Sequence, residues 1–274
     1  MFPRLKDDAK YGRFAFDIYA LDHWTHDSSE TSQEQWDRLV WKYQELTLIE
    51  RWPYQCRADC KASTRKVTRK VSDADIQRIF VDNQTMHERN MTIANTEGLQ
   101  TVWLRTCYDP RFEAKYQSLF EASGANVTSY IRVLDDSTRY DFDTRDKDFW
   151  RQVLIRMPGI TDFSGLTDEN GDGSDLYYKS GQNDEDLIER AEELSDLALA
   201  ELQMQAGIYL LDEDSIKSGV IRILWLDEHG NVAWESKFDP LTFDLEELAN
   251  AISQRPISLV ESTDADGFLF PLRD

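Results

Sequence analysis

Four aspartates recur at corresponding places in this chain and are the residues best suited to do chemistry. Asp22 and Asp82 stand at the ends of apolar segments in the first half, and Asp136 and Asp212 do so in the second. Two carboxylates at the carboxyl edge of a parallel sheet face the crevice where open α/β sheets take ligands. There they can share a divalent cation through oxygen, or split their pKa values for acid–base work. The alternative is local: each Asp caps a helix or closes an Asx-turn on its own backbone.

Other spacings carry weaker chemistry. Asp168, Asn170 and Asp172 alternate ahead of Gly173, as in the first half of a calcium loop, but Lys179 stands where a bidentate Glu is required. An acidic surface loop accounts for the same residues. His23 and His26 are three apart, without the four-residue spacing and intervening Glu of a zinc-protease helix. Cys56 and Cys60 lack a second pair for zinc, and Cys107 precedes Tyr108-Asp109-Pro110, where a helix start would activate a thiol. No Gly-rich phosphate loop, nucleophile elbow or Ser/His/Asp spacing occurs.

The elements that must position these residues read as a duplication. At an offset of 114, Trp36 falls on Trp150, Phe16 on Tyr130 and Asp22 on Asp136. At an offset of 130, Ile79-Phe80-Val81-Asp82 falls on Tyr209-Leu210-Leu211-Asp212, and Tyr108-Asp109-Pro110 falls on Phe238-Asp239-Pro240. Aromatic and β-branched content predicts strands over 14–21 and 127–134, and short buried strands over 79–81 and 208–211. Apolar spacing of three and four predicts helices over 33–51 and from 149 to 156, stopped by Pro53 and Pro158. Segments 220–226 and 232–234 flank a hairpin turn at Asp227–Asn231. Asp109-Pro110 and Asp239-Pro240 read as helix starts. The expected architecture is therefore α/β, with two tandem α/β modules, residues 1–122 and 123–274, each a small sheet with flanking helices.

This pattern resembles a small family of α/β domains of unknown function, taken twice. The stretches that carry the resemblance are Ala20-Leu21-Asp22, Trp36, Phe80-Val81-Asp82-Asn83-Gln84-Thr85, Asp136, Trp150, Leu211-Asp212-Glu213-Asp214-Ser215 and 243–249. The resemblance implies a fold and no activity.

Charge separates the modules. Residues 51–70 form a basic insert, with Arg65, Lys66, Arg69 and Lys70 in its last six positions and Asp59 its single acid. Residues 162–206 form an acidic insert, with twelve acids against Lys179 and Arg190 over 162–196. Either the basic insert grips an acidic partner or phosphate, or it docks on the acidic insert of its own chain. Over all 274 residues, 52 acidic against 31 basic side chains leave a net charge of −21, which repels nucleic-acid phosphate and anionic lipid. No apolar run approaches a membrane span, and three Cys favour a reducing, cytoplasmic setting over a disulfide scaffold.

The sequence thus predicts a non-enzymatic acidic binding protein, in an inhibitor, immunity-like or adaptor role, that recognises a protein with a basic surface. No cofactor is expected in that role. The alternative is a metal-dependent enzyme or calcium-binding module that uses the strand-end aspartates or the Asp168–Asp172 loop, with Ca²⁺ or another divalent cation.

Overall fold

A computed structural model describes residues 11, 14–47, 50–51, 53–55, 57–58, 71–98, 102–123, 133–143, 145–162 and 206–241. Among these residues there is one five-stranded mixed sheet: β1 Val102–Arg105, β2 Val133–Leu134, β3 Ala206–Leu211, β4 Ile221–Leu226 and β5 Val232–Phe238. The spatial order is β2-β1-β3-β4-β5. β1 runs parallel to both β2 and β3, whereas β4 and β5 pair antiparallel. The β4–β5 hairpin closes through Asp227, whose carbonyl accepts from Gly230 and whose carboxylate accepts from His229 and Asn231.

The helices are α1 Ala15–His23, α2 Ser32–Gln44, α3 Asp73–Asp75 running into a π-helix over Ile76–Val81, α4 Met86–Gly98, α5 Glu113–Ala122, α6 Ser137–Tyr140, α7 Val153–Arg156 and α8 Glu213–Ser218. Thr31 and Glu34 close a capping box at the start of α2. Asp109 and Pro110 open a 3₁₀ turn that leads into α5.

Three apolar clusters hold these layers together. On one face of the sheet, Trp103, Tyr209, Ile223, Trp225 and Phe238 pack under Tyr116 and Leu119 of α5. On the other face, Leu104, Leu134, Ile208, Leu210 and Leu224 pack against Trp150, Val153 and Leu154. The third cluster lies within the N-terminal helices, where Phe16 meets Trp36 and Tyr43 edge to face at 5.2 Å each.

The mixed α/β class is as expected; two like modules are not seen among the described residues. β1, from the first half of the chain, sits between β2 and β3 of the second, so both halves build one sheet. Two of the three matched blocks also differ in conformation. Of residues 14–21, expected as a strand, Phe14 is the N-cap of α1 and the rest lie in it, because Asp17 accepts from the Phe14 N–H at 3.2 Å and the turn is buried throughout, Ala15 to Ala20. A strand alternates faces, whereas a fully buried helix needs no alternation. Residues 79–81, also expected as a strand, lie in the π-helix. Asp82 N–H reaches Gln77 O at 3.0 Å, and Asn83 Nδ2 donates to Ile79 O at 3.0 Å. Pro53 falls within helical residues rather than ending a helix, because α2 has already stopped at Gln44.

Candidate functional site

The carboxyl ends of β1, β2 and β3 meet at one sheet edge, and the antiparallel pairing brings the start of β4 and the end of β5 to it. Two of the four aspartates stand there. Asp136 follows β2 and caps α6, its Oδ1 accepting from Thr138 N at 2.9 Å and Thr138 Oγ1 at 2.7 Å. Those two hydrogen bonds, the hydroxyl's first, hold its pKa below the usual carboxylate value. Asp212 follows β3 and caps α8, with Oδ1 accepting from Ser215 N at 2.8 Å and Oδ2 facing Arg222 Nη1 at 2.9 Å.

Asp136 and Asp212 do not form a pair, because β1 lies between their strands. Its last residue, Arg105, occupies the intervening edge. The guanidinium is 3.8 Å from the Tyr116 ring and 4.7 Å from the Tyr108 ring. It donates to Cys107 O at 3.0 Å and pairs with Glu113 and, at 3.4 Å, with Asp135. Burial pushes the Tyr108 and Tyr116 phenols above their ordinary range. Beside this edge opens a groove of about 590 Å³ lined by α8, β4 and β5. Arg222, one of its lining residues, bonds Glu235 through Nε at 2.9 Å and Nη2 at 3.2 Å.

The other two aspartates are elsewhere. Asp22 lies exposed near the end of α1 and pairs with Arg57; Asp82 follows the π-helix and accepts from Gln77 Nε2 at 2.7 Å. Neither ends a strand, because the segments before them are helical. The strand-edge arrangement expected of Asp22 and Asp82 is therefore not formed, and β1 separates the strands that carry Asp136 and Asp212. Among the described residues, no group of three or more His, Cys, Asp or Glu is placed to hold a metal ion. Arg65, Lys66, Arg69 and Lys70, the Asp168, Asn170 and Asp172 loop, and Cys56 and Cys60 lie outside the described residues. His23 bonds the Tyr54 hydroxyl at 3.0 Å, and His26 faces Asp75 at 3.6 Å, so the two imidazoles serve different partners. Cys107 is buried, and that burial raises its thiol pKa, the reverse of helix-start activation.

Sequence reasoning missed the buried polar residues. Asp17 and Arg89 pair in the helical layer; Glu88 joins α4 to α6; Asp162 meets Tyr43 and Arg51. A charged residue inside an otherwise apolar helical stripe is the signal that finds such groups, and Asp17 within Phe14–Leu21 carries it. Among the described residues no helix is long and apolar enough to cross a membrane. No protein-family model, curated protein or solved structure matches this chain.

Proposed function

We propose that this chain is a non-enzymatic acidic binding protein, in an inhibitor, immunity-like or adaptor role, whose partner is a cytoplasmic protein with a basic surface. One observation carries the reading: among the described residues, nine guanidinium groups are engaged with the chain's own carboxylates. Arg38, Arg51, Arg57, Arg89, Arg105, Arg111, Arg139, Arg145 and Arg222 each lie within ion-pair distance of an Asp or Glu. Cations neutralised at home leave the excess of 21 negative charges to set the outward field. Such a field speeds encounter with basic partners and disfavours acidic ones. The strand-end aspartates support the same reading, because Asp136 and Asp212 are occupied as helix caps.

Pull-downs with the full chain at low and high salt test it. A basic protein recovered at low salt and lost at high salt is expected; salt-insensitive recovery, or none, overturns the proposal. Thermal melts with Ca²⁺, Mg²⁺, Mn²⁺ and Zn²⁺ separate the competing metal reading, since an ion bound only by the folded state raises the melting temperature.

A further inference from the structure

A strap of backbone, residues 155–162, is gripped by side chains of the N-terminal helical layer. Trp36 Nε1 donates to Ile155 O at 2.7 Å, Gln84 Nε2 to Arg156 O at 2.7 Å, and Gln44 Nε2 to Pro158 O at 2.9 Å. The last grip is different in kind. Tyr43 Oη donates to Asp162 Oδ1 at 2.5 Å, and Arg51 Nη1 stands 3.7 Å from the same oxygen. Asp162 is 5% exposed, and its Oδ2 is buried with no hydrogen-bond partner. Arg51 is anchored besides by Thr161 Oγ1 at 3.2 Å, by Glu228 O, and by the Tyr43 ring at 4.5 Å.

We propose that Asp162 is an acid-tightened latch: it takes up a proton inside the folded protein in mildly acidic solution, and in that state the strap is held to the helical layer more firmly. A buried carboxylate with one unsatisfied oxygen is costly to keep charged. Here burial outweighs the help of Arg51, of the Tyr43 hydroxyl and of the Phe16 N–H, and the pKa rises to about 6. Asp17 of α1, itself paired with Arg89 of α4, adds to the rise. The unfolded chain gives up the same proton at an ordinary 3.8. Between those values the folded state holds more protons, so its stability increases as pH falls. The contribution is complete below the unfolded value and is lost as pH rises through about 6. The neighbouring imidazole is His229, whose Nδ1 lies 2.7 Å from Gln44 O, and it must be subtracted.

The test is a carbon-13 NMR titration of side-chain carboxyl groups in the full chain, with the Asp162 signal identified by its loss in Asp162→Asn. A midpoint near 6 is expected; a midpoint in the ordinary range of about 4 overturns the latch. Tyr43→Phe removes a donor that favours the ionised form, so the midpoint should move up further, and an unmoved midpoint counts against the proposal. Urea unfolding supplies the second readout, run in a His229→Gln background with and without Asp162→Asn. The Asp162-containing protein should gain about tenfold in its folded-to-unfolded ratio between pH 7 and pH 5, relative to the Asn form. Equal pH profiles refute it. If Asp162→Asn does not fold, the signal is followed by its displacement in Tyr43→Phe, and the wild-type midpoint decides.

Discussion

Arg89 and Asp17 form a two-point ion pair in the helical layer, with Nη1 donating to Oδ1 at 2.7 Å and Nη2 to Oδ2, and the two side chains are 2% and 0% exposed. The guanidinium also lies 4.2 Å from the Phe14 ring and 4.9 Å from that of Tyr11. The pair ties α1 to α4 across 72 residues of sequence. Burying both charges costs desolvation energy that only good geometry repays, and removing one of them strands the other. Arg89→Ala should therefore destabilise the protein by about 3–5 kcal/mol. Asp17→Asn keeps the shape, removes the charge, and should be similarly harmful. Urea denaturation checks both, and a loss as small as that of a surface pair would show that the charges do not depend on each other.

The aspartates that looked alike in sequence should separate in experiment. Asp136→Ala and Asp212→Ala each remove a helix cap and should cost about 0.5–2 kcal/mol. Asp212 belongs at the upper end, because it is buried and also faces Arg222. Asp82→Ala removes one exposed contact with Gln77 and should lie within about 0.5 kcal/mol of the parent. Thermal melts rank the three. If instead they lose a shared metal response, the capping account fails.

How much of this was legible in the sequence depended on which physical signal each segment carried. α2 was legible because Trp36, Leu39, Val40 and Tyr43 are buried at helical spacing while Asp37, Arg38 and Lys42 between them are polar. The β4–β5 hairpin was legible because its turn residues dictate one local geometry. Segment 14–21 was not, because a segment buried almost throughout leaves no polar face to reveal its period, and aromatic content then suggests a strand; 79–81 was not, because three apolar residues are too few to show a helical period. The site followed the same rule. Asp136 and Asp212 were placed correctly at strand ends, but the sequence does not record that β1 and Arg105 would stand between them. Strand order depends on long-range pairing, and so does the meeting of Tyr43 with Asp162, 119 residues apart.

Cys107 should be a slow nucleophile. It lies just after β1, 9% exposed, and burial raises its pKa above the ordinary thiol value. The thiolate is the reactive form. Iodoacetamide at mildly alkaline pH, read out peptide by peptide with mass spectrometry, should label Cys107 far more slowly in the native protein than in denaturant. Equal rates in the two states would mean that β1 and the segment after it open readily.

Two glycines with positive φ should respond unequally to the same methyl group. Gly219 ends α8 at φ 78°, and a Cβ there meets nothing within 4 Å. Its substitution by Ala therefore carries only the left-handed backbone penalty of about 1–2 kcal/mol. Gly230 closes the β4–β5 hairpin at φ 68°, and a Cβ there would stand 2.5 Å from Leu154 Cδ1. Leu154 is wholly buried among Trp150, Val153 and Leu224, so it cannot swing aside without disturbing that core. Overpacking of this kind adds about 1–3 kcal/mol. Gly230→Ala should thus be the more damaging by urea denaturation, and Leu154→Ala in the same chain should recover part of the difference. If the two glycine variants prove equally stable, the hairpin turn does not rest against Leu154 in solution.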